Sequence, residues 1–338
     1  MRLLLVPDPT SPNGEDAFCR EVARRAPALG HETQTCAVPN EPVEAALDRL
    51  QATGFAQGCD IVLINSLQPA ALLAAKAEGK PAVVRLVESY AAASEAAIGE
   101  VMKLAKQADL VMVPSHYLAG LLHQWGANGS VVEIPYAYDR IMAQQIALVT
   151  MRASRPQGFS IVAASAFNRA TRPGYETLLS ALARLRLDWH LTLVGSGPER
   201  GAVEERAVQL MIAGKVQFLP AMPHEKLMEY FRAAKTYIDP SGLDGFPTLA
   251  LHALSEGCPV VAARAGAVME LIEDSKNGLL FNPGDALGLS EAVTTLASVR
   301  GLSLALIAEG IRTVEKRSWE ATVGATFEAL GRAIIARP

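Results

Sequence analysis

The stretch SGLDGFPTLALHALSEGCPVV, residues 241–261, joins a glycine-bearing loop to an apolar run and then to a short β-like segment. The loop from Gly242 to Gly245 ends in Phe246, Pro247 and Thr248. Leu249–Leu254 has the composition of a buried helix, which Gly257, Cys258 and Pro259 stop before the strand Val260–Ala263. A helix that starts after such a loop presents backbone N–H groups with no partner inside the helix, and these hold anions well. Asp244 lies just before the helix and His252 two turns into it, so the two can face one cleft.

Two further loops carry candidate chemistry. In ASAFNRATRPGYETLL, Arg169 and Arg172 lie three apart in a polar loop before a helix, which suits a clamp on a diphosphate. A pair of solvated surface arginines is the competing reading. In HLTLVGSGPERGAVEE, Gly195 to Gly197 turn from strand to helix. Arg200 stands where a G-x-G-x-x-G fingerprint needs its third glycine, so a dinucleotide site is not indicated. After the first strand, PDPTSPNGEDAF opens a helix at Asn13-Gly14, with Glu15 and Asp16 read as first-turn acids that compensate the helix dipole. Gly14 there is small enough for a close approach by a ligand.

GSGPER followed by DPSGLDGFPTLALHALSEGCPVVAARAGAVMELIEDSKNGLLFNPGD resembles the C-terminal half of GT-B glycosyltransferases, specifically the large retaining family GT4. Pro240-Ser241, Gly257-x-Pro259, Gly266, Asn277-Gly278 and Pro283-Gly284-Asp285 occur in the family's order. The match runs through roughly residues 160–290, with looser likeness in GHE, CDIVLINS, ADLVMVPS and EIPYAYD of the first half. The resemblance implies two Rossmann-like doubly wound parallel sheets facing a central cleft, with a C-terminal helix crossing back. It implies a nucleotide-sugar donor bound by Gly197, Gly245, Phe246, Pro247, Thr248, His252 and Gly14, and catalysis resting on Asp244, Arg169 and Arg172. The acceptor is expected at Asn65 and Glu88 in the first half.

Several positions depart from the family. Its two glutamates, eight apart, are Asp244 and His252 here. The first touches donor-sugar hydroxyls in the family and the second takes hydrogen bonds from the ribose, a task in which a neutral imidazole accepts only one. Val87 stands where a histidine is usual, Pro173 where a clamp lysine falls, and Tyr136-Ala137 where Asn-Gly is usual. No D-x-D occurs, and an enzyme of this type needs neither metal, cofactor nor protein nucleophile, because the departing diphosphate takes the acceptor's proton. The leading expectation is therefore a metal-independent retaining glycosyltransferase that acts by positioning and charge stabilisation. A catalytically degenerate protein that binds a nucleotide sugar or glycan stays open. So does a GT-B enzyme of another reaction, a sugar-phosphate phosphorylase or a nucleotide-sugar epimerase.

The elements that must position these residues follow from the apolar pattern. RLLLV, IVLI, AVVRLV, LVMV and VVEI read as buried strands in the first half; SIVAAS, HLTLVG, VQFLP, TYIDP, PVVAA and GLLF in the second; helical patterns lie between them. Such alternation makes a doubly wound α/β chain with parallel sheets covered on both faces. A polar stretch near 151–160 divides an N-terminal acceptor domain, 1–152, from a donor-binding domain, 159–315. A final helix, 316–338, is expected to pack back on the first domain. At 338 residues and 50% apolar, the chain has room for both cores. Residues 1–150 carry 11 Lys+Arg against 16 Asp+Glu, leaving 20 against 19 beyond, which argues against a nucleic-acid groove. The four cysteines lack C-x-x-C pairing, and no apolar run reaches membrane-spanning length, so a reduced, cytoplasmic setting is expected, with peripheral membrane contact left open. The acceptor could be a glycan, a lipid-linked or a small molecule.

Overall fold

A computed structural model describes all residues except 10–15, 39–40, 88–89, 91–92, 128, 139–157, 244–245 and 337–338. The chain forms two compact units, Met1–Ala137 with Trp319–Pro338, and Tyr138–Ser318.

In the first unit the order is β1 (Arg2–Val6), α1 (Ala17–Arg25), β2 (Glu32–Thr35), α2 (Val43–Ala52), β3 (Ile61–Asn65), α3 (Pro69–Ala77), β4 (Ala82–Arg85), α4 (Glu95–Gln107), β5 (Leu110–Val113), α5 (His116–Gln124) and β6 (Val131–Glu133). The sheet is parallel in the order β2-β1-β3-β4-β5-β6. The strand period of two sends alternate residues to opposite faces. Leu4, Val6, Val62 and Ile64 pack with α2 to α5, while Leu3, Leu5, Ile61 and Leu63 pack with α1 and the last helix. β2 escaped the apolar search because its sequence is ETQT at an exposed sheet edge.

The second unit contains β7 (Phe159–Ala164), α6 (Arg172–Leu182), β8 (Trp189–Val194), α7 (Arg200–Gln209), β9 (Val216–Leu219), α8 (His224–Ala233), β10 (Thr236–Asp239), α9 (Thr248–Ser255), β11 (Val260–Ala263), β12 (Leu279–Phe281), α10 (Ala286–Ser298) and α11 (Leu302–Glu315). Its parallel sheet runs β12-β11-β10-β7-β8-β9. α12 (Trp319–Ile335) then belongs to the first unit, where Trp319, Val323, Phe327 and Leu330 join the core beside Phe18 and Val22. The two parallel sheets are those of the doubly wound architecture expected from the sequence.

Each sheet has one place where successive strands depart to opposite sides, between β1 and β3 in the first and between β7 and β10 in the second. Loops at the carboxyl ends of such a pair splay apart and leave a crevice for ligands.

Candidate functional site

At the second sheet's switch point, the loop after β7 is wound by its own side chains. Asn168 Oδ1 accepts from the Ala170 and Thr171 N–H groups at 2.9 and 3.0 Å, and the Thr171 hydroxyl donates to Ala166 O at 2.6 Å. Arg169 stands exposed on this loop with no hydrogen bond or ion pair among the described residues. Arg172 differs: its Nε donates to Glu176 at 2.7 Å and its Nη1 to Glu199 at 3.0 Å, and these bonds push its already high pKa further up. The reason is local. Arg172 opens α6, so Glu176 is its i+4 neighbour, and Glu199 precedes α7. The expected clamp thus contains one open cation and one that two carboxylates already engage.

Close approach of backbones builds the rest. A Cβ on Gly197 would lie 2.2 Å from Phe167 O, and one on Gly174 would lie 2.6 Å from Pro240 O. Only residues without side chains let the loop after β8 meet the loop after β7, and let α6 meet the end of β10. At that end, buried Asp239 accepts from the N–H groups of Ser241 and Gly242 at 3.1 and 3.3 Å and from the Ser241 hydroxyl at 3.2 Å. Burial pushes its carboxyl up despite these bonds. This residue was not singled out from the sequence, although Asp before Pro-Ser-Gly is the pattern of a side-chain-capped turn.

Phe246 and Pro247 are buried, and Pro247 caps α9 without a side-chain hydrogen bond to the helix start at Thr248. His252 lies on the same face, one turn on, and is buried. Its ring centroid is 4.4 Å from that of Tyr138 and 4.5 Å from that of His224, and its Nδ1 is enclosed without a hydrogen-bond partner. Burial, and then the neighbouring His224, hold it far below the usual histidine range, so the ring is neutral. Tyr138 Oη and His224 Nε2 are 3.3 Å apart. Tyr138 and His224 carried no motif and were not anticipated. Asp244 and Gly245 lie outside the described residues, as do Gly14 and Glu88.

The first sheet's switch point holds a buried charged network. Arg85, at the end of β4, is 2% exposed; its Nη1 donates to Asn65 Oδ1 at 3.0 Å, and its Cζ lies 3.9 Å from the Phe18 ring centroid. The Asn65 amide donates in turn to Asp16. Asp16 is the N-cap of α1, accepting from the Cys19 N–H at 3.1 Å and the Asp8 N–H at 3.0 Å. It is therefore more than the dipole-compensating acid expected. Burial raises its carboxyl, but the Asp8, Asn65 and Cys19 bonds and the Arg85 charge together hold it below the usual range. Asn65, expected to face the acceptor, is buried with both ends of its amide engaged in this network. Val87, where the resemblance places a histidine, follows β4 half-buried.

Among the described residues no group of three or more His, Cys, Asp or Glu side chains is placed to hold a metal ion. No single described helix is long and apolar enough to cross a membrane.

Residues 157–312 match the family model described as "Glycosyl transferases group 1". They fall wholly within the second unit. Over these residues the chain is similar to the group 1 glycosyltransferases. It is 34% identical over 151 residues to the D-inositol 3-phosphate glycosyltransferase of Acidothermus cellulolyticus, which is 43% of this chain and 33% of that protein. It is 30% identical over 264 residues to the protein of the same name from Salinispora arenicola, 71% of this chain and 58% of that one. The match thus spans about a third to three fifths of these curated relatives. Among solved structures, sucrose-phosphate synthase from Thermosynechococcus elongatus superposes with a TM-score of 0.80 at 19% identity, covering 99% of this chain and 100% of that one. HepE of Anabaena, solved with UDP and glucose, does so with a TM-score of 0.80 at 18% identity, covering 98% and 100%. At these identities the likeness is one of GT-B fold.

Proposed function

We propose that this protein is a group 1 glycosyltransferase that moves a sugar from a nucleotide-sugar donor to a hydroxyl of an acceptor, with retention of configuration and without a metal ion. The observation that carries the reading is the α9 start after β10, whose N-cap Pro247 supplies no side-chain hydrogen bond, at the carboxyl end of the strand beside β7, whose own following loop bears the open cation Arg169. Helix N–H groups and a guanidinium together stabilise the charge that grows on a departing diphosphate. That diphosphate takes the acceptor hydroxyl's proton as the new glycosidic bond forms on the same face, so the protein's work is positioning. Asp244 orients the sugar, and neutral His252 accepts one hydrogen bond from the donor at a buried nitrogen. The acceptor is assigned to the carboxyl edge of the first sheet. A nucleotide bearing UDP is the first donor to try, since HepE was solved with UDP and glucose.

A binding protein without turnover is the second reading, favoured by Arg172 being engaged by two glutamates and by the neutral ring at His252. Ligand-observed NMR with UDP-, GDP-, ADP-, CMP- and dTDP-sugars, with and without EDTA, tests both. Saturable binding of one donor that EDTA leaves unchanged, followed by release of its nucleotide in the presence of an acceptor, supports the transferase. Binding without release selects the second reading, and no binding of any donor overturns both.

A further inference from the structure

The buried network at the first sheet's switch point does more than neutralise Arg85. Asp16 holds the Asp8 N–H just past the end of β1, and Arg85 holds the Asn65 side chain at the end of β3. Asn65 joins the two halves through its bond to Asp16. The carboxyl ends of β1, β3 and β4 are thereby tied into one rim. Gln68 rests on that rim. Its Nε2 donates to Pro7 O at 2.9 Å and to Asn65 O at 2.7 Å, the carbonyls at the two strand ends that the network clamps. Both partners are acceptors, so the nitrogen of the Gln68 amide must face them and its oxygen must face away. That oxygen, Oε1, is buried and has no hydrogen-bond partner among the described residues, on a residue 5% exposed. A buried carbonyl oxygen left without a donor costs free energy that a ligand N–H or O–H restores.

We propose that Gln68 contacts the acceptor, its Oε1 taking a hydrogen bond from an acceptor hydroxyl, and that Arg85 is the positioning residue that holds Gln68 in place through Asn65. This rests on the assignment of the acceptor to the first sheet. Arg85 has no direct bond to Gln68. It fixes the Asn65 side chain, and through Asn65 and Asp16 it fixes both carbonyls that grip the Gln68 amide. The guanidinium suits the task because it lies over Phe18 and spends one nitrogen on Asn65, so charge and direction are both set.

The test compares Arg85→Met, Arg85→Lys and Gln68→Leu with the unaltered protein. Three quantities are read: UDP affinity by titration, amide hydrogen exchange at Asp8, and kinetics of transfer from UDP-glucose to D-inositol 3-phosphate. UDP affinity should stay within about twofold in all variants, because all the expected donor residues except Gly14 lie in the second unit. Arg85→Met should speed Asp8 exchange at least about tenfold and raise the acceptor KM about tenfold with little change in kcat. Arg85→Lys keeps a charge and a donor, and should recover most of both effects. Gln68→Leu should raise the acceptor KM alone, leaving Asp8 exchange as it was. If Met and Lys behave alike, Arg85 only fills volume and the proposal falls; so it does if Gln68→Leu leaves the acceptor KM unchanged. Should Arg85→Met fail to fold, Asn65→Ala carries the same comparison, since it cuts the link without removing the packed guanidinium. If the unaltered protein binds no UDP, the transferase reading fails and the acceptor assignment with it. If it binds UDP but does not transfer to this acceptor, unchanged exchange at Asp8 in Arg85→Met overturns the relay, and faster exchange that lysine reverses upholds it.

Discussion

A buried histidine beside a second histidine has a direct consequence for stability. His252 is held neutral in the fold by burial and by His224, below its ordinary value of 6.5. The unfolded chain therefore binds a proton at this position that the folded chain refuses. Stability from this group is fully present above about pH 6.5 and is lost as pH falls below it, at up to about 1.4 kcal/mol per pH unit for one proton. Thermal unfolding of the native protein and of His252→Gln between pH 7.5 and about 5 should show the steeper loss in the native protein; equal slopes would mean that the ring accepts a proton in place. The arginines separate on similar grounds. Arg169→Ala removes an uncommitted cation and should weaken UDP binding about tenfold, some 1.4 kcal/mol. Arg172→Ala removes a cation already held by Glu176 and Glu199, so a smaller loss is expected in the same titration.

At the scale of elements, glycine decides how near the loops approach. Gly197 has φ of 150° and its missing Cβ would overlap Phe167 O, so Gly197→Ala must part the loops after β7 and β8. It should cost more than about 1 kcal/mol and weaken UDP binding together with stability. Gly201, inside α7 with nothing within 4 Å of a Cβ, is the control, and Gly201→Ala should raise the unfolding midpoint by up to about 1 kcal/mol of added stability. The strands that carry these loops could be read from apolar runs because a parallel sheet covered on both faces leaves few polar positions. β2 could not be, since an edge strand such as ETQT carries little apolar signal. The crevice loop from Pro240 to Thr248 was legible through its glycine, proline and helix start. Arg85 was not, because an arginine inside AVVR reads as the end of a buried run. What stabilises it comes from Asn65, 20 residues away, and Asp16, 69 away, and such separations leave no trace in a local pattern. The pairing of Tyr138 with His224 and His252 escaped for the same reason.

The whole molecule depends on a chain that returns. α12 comes last in sequence, yet it completes the first unit, placing Trp319, Val323, Phe327 and Leu330 against the face of the sheet that α1 also covers. Thr322 donates to Pro135 O at 2.9 Å, which fastens the helix beside the end of β6. Burying four such side chains contributes roughly 6–12 kcal/mol by area, as large as the net stability of an ordinary domain. The second unit, Tyr138–Ser318, draws its own core from Ile161, Leu191, Ile238 and Val261 and owes none of it to this helix. A chain ended after Ser318 should therefore lose the first unit's cooperative unfolding transition and transfer activity, while UDP still binds with nearly native affinity. Calorimetry with UDP titration on the same sample checks this. Retention of both transitions would show that α1 and the sheet close the core without α12, whereas loss of UDP binding would mean that the donor site needs the first unit to form.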